Sequence, residues 1–188
     1  PCQPRLLKGL EAQFVVVRKL GQGGFANVYE AWDRRSGARV ALKVLNPSQD
    51  LRCCVTEADH LRSFGGIDHN VIQTLPCPPA APGGVFLARG DASVLCLPYF
   101  EHDEPHSFIP QGLTAQEVRT YLHGLLTALA HLHEFHLIHR DVKPGNFLFN
   151  RATKKCLLID LGLAEQHTPR HTQAHQKAHQ GAHGGAHG

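Results

Sequence analysis

The feature that most constrains this chain is one octapeptide, His139-Arg140-Asp141-Val142-Lys143-Pro144-Gly145-Asn146. It sets a carboxylate, an ammonium two residues on and an amide five residues on within a single short stretch. Those groups are a base, a cation able to neutralise an anion, and an oxygen donor for a metal. A chain carrying them needs a scaffold that aims them at one place. Its 188 residues, 42% hydrophobic and 19% charged, suffice for one domain or two small lobes with a buried core. Lys+Arg number 19 and Asp+Glu 16, and a net charge of +3 lacks the strong basic field of a nucleic-acid binder. No apolar run approaches the roughly 18 residues that span a bilayer. Residues 1–10 contain no signal-peptide core. The six cysteines, at 2, 53, 54, 77, 96 and 156, form no C-x-x-C pair, which fits reduced thiols in the cytosol or nucleus. Methionine is absent, so the chain reads as a piece of a longer reading frame or a processed one.

Strand signals dominate the first third of the chain. The β-branched run at 14–17 leads into Gly21-Gln22-Gly23-Gly24, then 27–32, the turn Asp33-Arg34-Arg35-Ser36-Gly37, and 40–44. This pattern predicts three consecutive strands joined by tight turns. Residues 51–64 carry apolar side chains at helical spacing, and Gly65-Gly66 stops that helix. Residues 71–75 read as a fourth strand, 76–84 as a Pro/Gly loop and 93–97 as a fifth strand. A long helix is expected over 115–136, with Val118, Tyr121, Leu122, Leu125, Leu129 and Leu132 on one face. Thr114 and Glu117 have the spacing of a capping box. Short strands at 147–149 and 156–159 follow. Strands first and helices later predict an α+β chain.

Three more strings stand in order around the octapeptide. Leu20-Gly21-Gln22-Gly23-Gly24-Phe25-Ala26-Asn27-Val28 lies between two strands rather than before a helix, so it is neither a dinucleotide fingerprint nor a P-loop. By itself it could be an ordinary hairpin turn. Ala41-Leu42-Lys43 puts a lysine inside an apolar strand, where it needs a partner. Glu57 in the 51–64 helix is the candidate, with Asp59 a neighbouring carboxylate. Asp160-Leu161-Gly162 follows the last strand signal.

Together these strings resemble the eukaryotic serine/threonine protein kinases over residues 14–164. Leu97-Pro98-Tyr99-Phe100-Glu101-His102 and the run from His139 to Asn150 look like the cell-division-cycle kinases that activate replication origins. The resemblance implies a two-lobed fold: an N-lobe antiparallel sheet plus one helix, and an incomplete C-lobe. It implies ATP and Mg2+ as cofactors. Leu20 to Val28 would fold over the phosphates, with Val28 roofing the adenine. Ala26 stands where the family usually has a third glycine. Ala41 and Leu148 would line the nucleotide, Leu97 would be the gatekeeper, and Pro98, Tyr99 and Phe100 the adenine-binding hinge. Lys43 and Glu57 would place the α/β-phosphates. Asp141 would orient and deprotonate the substrate hydroxyl, and Lys143 would steady the γ-phosphate. Asn146 and Asp160 would hold the metal, with Leu161 packing where the family has phenylalanine. Expected partners are a protein substrate, a Dbf-type regulatory subunit and replicative helicase subunits, with no nucleic acid bound directly and no membrane. The location implied is the nucleus, otherwise the cytoplasm.

The resemblance stops soon after Gly162. No activation segment, Ala-Pro-Glu-like anchor or further C-lobe helix follows, and Leu125, Leu129 and Leu132 would then lie open to solvent. Instead His167, His171, His175, His179, His183 and His187 recur every four residues in a Gln/Ala/Gly tail. That tail is expected to be disordered and reads as a low-complexity repeat, ahead of a Zn or Ni site. The expected organisation is a leader at 1–13, N-lobe and hinge at 14–100, a partial C-lobe at 101–165 and the tail at 166–188. The alternative to an active kinase is a truncated, inactive fragment that binds only nucleotide or a partner.

Overall fold

Three strand-forming runs set the first layer, and burial alternates along the third. Strand β1 (Phe14–Gln22) turns back into β2 (Ala26–Asp33), and β2 into β3 (Arg39–Leu45). The second turn follows from its residues. Asp33 accepts from Arg35 N at 3.1 Å and from Ser36 Oγ at 2.7 Å, and Gly37 takes φ 69°. The computed structural model describes residues 10–46, 51–75, 85–88 and 92–167. Within these, β5 (Ala92–Pro98) pairs with β3, and β4 (Val85–Ala88) closes the far edge, so the antiparallel sheet runs β1-β2-β3-β5-β4. Residues 71–75 are not the fourth strand. Ile72 N bonds Leu158 O at 2.9 Å and Leu75 N bonds Cys96 O at 3.0 Å, so this segment crosses from one lobe to the other instead of laddering. The loop expected at 76–84, the leader up to residue 9 and the histidine repeat beyond 167 lie outside the described residues.

Helix α1 (Leu51–Phe64) ends where expected, with Gly65 N returning to Leu61 O at 3.1 Å. A short α2 (Pro105–Phe108) precedes α3 (Ala115–Glu134), whose capping box is formed by Thr114 and Glu117. The long helix is two residues shorter than expected, because His136 adopts φ 56° and turns the chain into β6 (Leu137–Ile138). That strand pairs with β9 (Glu165–Gln166), and β7 (Phe147–Asn150) forms a hairpin with β8 (Lys155–Leu158).

One core fills the sheet, built on Phe14, Tyr29, Val40, Leu42, Val44 and Val94. A smaller one joins Cys54 and Ala58 of α1 to Leu45 and Leu95. The largest runs from Leu61 and Ile72 through Leu132, Phe147 and Leu158 to Leu161, so it passes under the cleft between the lobes. Leu132 is fully buried there and Leu125 and Leu129 pack against it, contrary to the expectation that they would lie open. Turning by 100° per residue, the helix instead leaves Val118, Leu122 and Leu126 in water. No helix of the described residues is long and apolar enough to cross a membrane.

Candidate active site

Two adjoining cavities, about 310 and 540 Å³, lie between the sheet and the α3–β7–β8 layer. Lys43 on β3 and Asp160 just after β8 border both. The β3 register turns Lys43 inward, and its Nζ meets Glu57 Oε1 of α1 at 2.6 Å and Asp160 Oδ1 at 2.8 Å. Glu57, not Asp59, is therefore the partner; Asp59 pairs with Arg62 on the outer face. Burial favours the uncharged lysine, but Glu57 and Asp160 outweigh it and hold the ammonium above its ordinary value. The same burial pushes the Glu57 carboxyl up. Asp160 is also desolvated, yet Lys43 keeps it below the usual carboxylate range. Asp160 adopts φ 66°, an uncommon conformation for a residue with a Cβ, and its Oδ1 also accepts from Gly162 N at 3.3 Å.

The octapeptide sits at the floor. Lys143 Nζ bonds Asp141 Oδ2 at 2.6 Å and lowers its pKa, helped by Asn146 Nδ2, which bonds the same oxygen at 2.8 Å and Asp141 O at 2.9 Å. Asn146 is buried, and Ile159 N donates to its carbonyl at 2.9 Å, which ties this loop to the strand leading into Asp160. Sequence reading assigned no role to His139. Its ring is buried; Nδ1 accepts from Asp141 N and Nε2 reaches Ile159 O, each at 3.2 Å, so it braces both acidic residues. The exposed Arg140 pairs with Glu165 on β9.

Leu20, Ala41, Leu148 and the segment Leu97 to Phe100 border the smaller cavity, and Val28 borders both. Gly21, Gln22, Gly23, Gly24, Phe25 and Ala26 roof the larger one, opposite Asp141, Lys143 and Asn146. Asn27 departs from expectation. It borders neither cavity, because alternation along β2 sends its side chain to the other side of the strand, where it meets Asn46. Ile72, Glu104, Ile159 and Leu163 border the cavities without any sequence signal that marked them.

The donor set fits a hard cation. Asn146 uses its amide nitrogen on Asp141, which leaves Oδ1, and the Asp160 carboxylate borders the same cavity. Among the described residues no cluster of three His, Cys, Asp or Glu could hold a metal by itself. Magnesium is commonly held by one or two protein oxygens with phosphates and water completing its shell.

A family model described as "Protein kinase domain" matches residues 14–181. The chain is 35% identical over 153 residues to the "Probable cell division control protein 7 homolog 2" of Encephalitozoon cuniculi, covering 81% of this chain and 40% of that protein. It is 37% identical over 155 residues to the "Cell division cycle 7-related protein kinase" of Mus musculus, covering 81% of this chain and 26% of that one. It is 36% identical over 160 residues to a "non-specific serine/threonine protein kinase" of Drosophila melanogaster, covering 81% and 22%. The chain thus spans well under half the length of these relatives.

Proposed function

The chain belongs to the protein kinase family, and from that premise we propose that it transfers the γ-phosphoryl group of ATP to serine or threonine hydroxyls of proteins. The observation that carries this reading is Lys43 held between Glu57 and Asp160 above the loop that bears Asp141, Lys143 and Asn146. Adenine fits the smaller cavity. Tyr99 N bonds Arg39 O at 3.4 Å, so the Pro98 carbonyl and the Phe100 N–H on either side of it turn away from β3, where they can accept from and donate to a base. Gly21 to Ala26 cover the phosphates, and Lys43 holds the α- and β-phosphates.

Asp141, kept ionised by Lys143 and Asn146, accepts the hydroxyl proton. The hydroxyl oxygen then bonds to γ-phosphorus, the bond from phosphorus to the bridging oxygen breaks, and ADP departs. Lys143 neutralises charge on the transferring group. Asn146 and Asp160 would hold Mg2+, which neutralises phosphate charge when bound. The names of two of these relatives place them in cell division, and we extend that role to this chain. From the sequence resemblance we further propose a nuclear kinase acting with a Dbf-type regulatory subunit on replicative helicase subunits. Phosphate transfer to a protein substrate that Asp141→Ala abolishes while ATP binding persists would support the reading. ATP binding without any turnover, even with the regulatory subunit supplied, would contradict it and leave only a binding module.

A further inference from the structure

The tip of the β1–β2 hairpin is held by one side chain outside the motif. Asn46, the residue after β3, donates its backbone N–H to Phe25 O at 2.9 Å and its side-chain Nδ2 to Gly24 O at 2.8 Å. Its Oδ1 accepts from Asn27 Nδ2 at 3.1 Å. A carbonyl can only accept, so Gly24 O fixes which end of the Asn46 amide faces it. That choice fixes the Asn27 amide in turn, and it leaves Asn27 Oδ1 buried with no hydrogen-bond partner. The hairpin closes on itself through Gly23 N to Ala26 O at 2.8 Å.

We propose that Asn46 is a positioning residue for nucleotide phosphates: it clamps the glycine-rich turn to the strand that carries Lys43. This rests on the nucleotide reading above. Two successive carbonyls, those of Gly24 and Phe25, are directed at Asn46. In a trans peptide the N–H points opposite to the C=O of the same plane, so the N–H groups of Phe25 and Ala26 point away from Asn46. Asn46 does not border the cavity, whereas Gly24, Phe25 and Ala26 do. The clamp therefore turns the Phe25 amide donor toward the face that also holds Lys43 Nζ, where an anion meets both groups, while the Ala26 N–H faces the β1 arm, from which Gly23 N reaches Ala26 O. The glycines leave this turn conformationally free, and an added Cβ on Gly21 or Gly24 would meet nothing within 4 Å, so no side chain of the turn packs it in place at those two positions. Asn46 supplies the constraint that packing lacks there, and Lys43 lies three residues earlier on the same strand.

The test compares ATP with adenosine, which has the base and sugar but no phosphates, by calorimetric titration of the full chain. Asn46→Asp keeps size and the acceptor for Asn27 but cannot donate to Gly24 O. Asn46→Ala removes both. ATP affinity should fall about five- to tenfold in each variant, the effect of losing one or two hydrogen bonds. Adenosine affinity should stay within error, while melting temperature falls modestly, more in Asn46→Ala, where Asn27 Nδ2 loses its acceptor. Equal ATP affinity in Asn46→Asp and the parent chain would overturn the clamp. So would a parallel loss of ATP and adenosine, which would mark a general structural role. A parent chain that binds neither ligand would overturn the nucleotide reading itself, and this inference with it.

Discussion

Lys43 is a buried cation with two acidic partners, and its removal should be felt twice. Without it, Glu57 is left buried with no opposite charge beside it. Lys43→Met should lower stability by about 1–3 kcal/mol, the penalty for stranding a buried polar group. Adding Glu57→Gln should recover most of the lost melting temperature, because the stranded charge goes with it. ATP affinity should stay low in both variants. A double variant no more stable than Lys43→Met, by thermal unfolding, would refute the pairing as the cause. The residues that touch each other here were legible because the chemistry requires given types at given spacings: Asp141, Lys143 and Asn146 within one loop, and Lys43 inside an apolar strand. Asn46 and His139 act through amide and ring hydrogen bonds to backbone groups distant in sequence, such as Ile159 O. No spacing rule encodes those, so their roles emerged only from geometry.

At the scale of elements, helix α3 shows how a cap and a charge network combine. Glu117 closes the capping box with Thr114 and also takes Arg151 Nε at 2.9 Å and Lys154 Nζ at 3.3 Å. Arg151 chiefly, then Thr114, holds its carboxyl far below the usual range. A depressed acid contributes stability that is complete above its unfolded pKa, near 4.3, and is lost as pH falls toward the folded value. Melting temperature should thus decline below about pH 4.3, and Glu117→Gln should flatten that decline while lowering stability at neutral pH. An unchanged acid limb in the variant would exclude Glu117 as its source. Helix α1 offers a steric counterpart. A Cβ on Gly65 would collide with the backbone carbonyls of Leu61 and Ile72, neither of which can rotate aside. Gly65→Ala should destabilise by roughly 1–3 kcal/mol, read from chemical denaturation. These two helices were readable because fourteen or more residues of apolar periodicity end in a cap or a glycine. β4 was not, since four residues after a Pro/Gly stretch carry no period, and β5 alone makes them a strand. The two-residue β6 and β9 fall below any period for the same reason.

At the scale of the whole molecule, one core ties the lobes together. Leu61 from α1 and Ile72 from the crossing segment pack with Leu132, Leu158 and Leu161, while backbone bonds join Asn70 O to Leu158 N at 2.7 Å and Ile72 N to Leu158 O at 2.9 Å. A cleft lined by both lobes keeps its geometry only if this layer beneath it holds, so damage deep in α3 should reach the sheet. Leu132→Ala should cost about 2–5 kcal/mol, the range for emptying a buried leucine site. Because the layer is shared, unfolding should remain a single transition, with circular dichroism and Trp32 fluorescence from β2 moving together. Leu126 tests the opposite face. It lies on the same helix but is 65% exposed, so removing its apolar surface takes away little burial. Leu126→Gln should change stability by less than about 0.5 kcal/mol, as for ordinary surface substitutions. Hydrophobic composition cannot separate these two leucines; only the turn of the helix against β7 and β8 does. If Leu126→Gln proved as damaging as Leu132→Ala in the same denaturation series, or if the sheet melted apart from α3, the shared core would not be what holds the cleft.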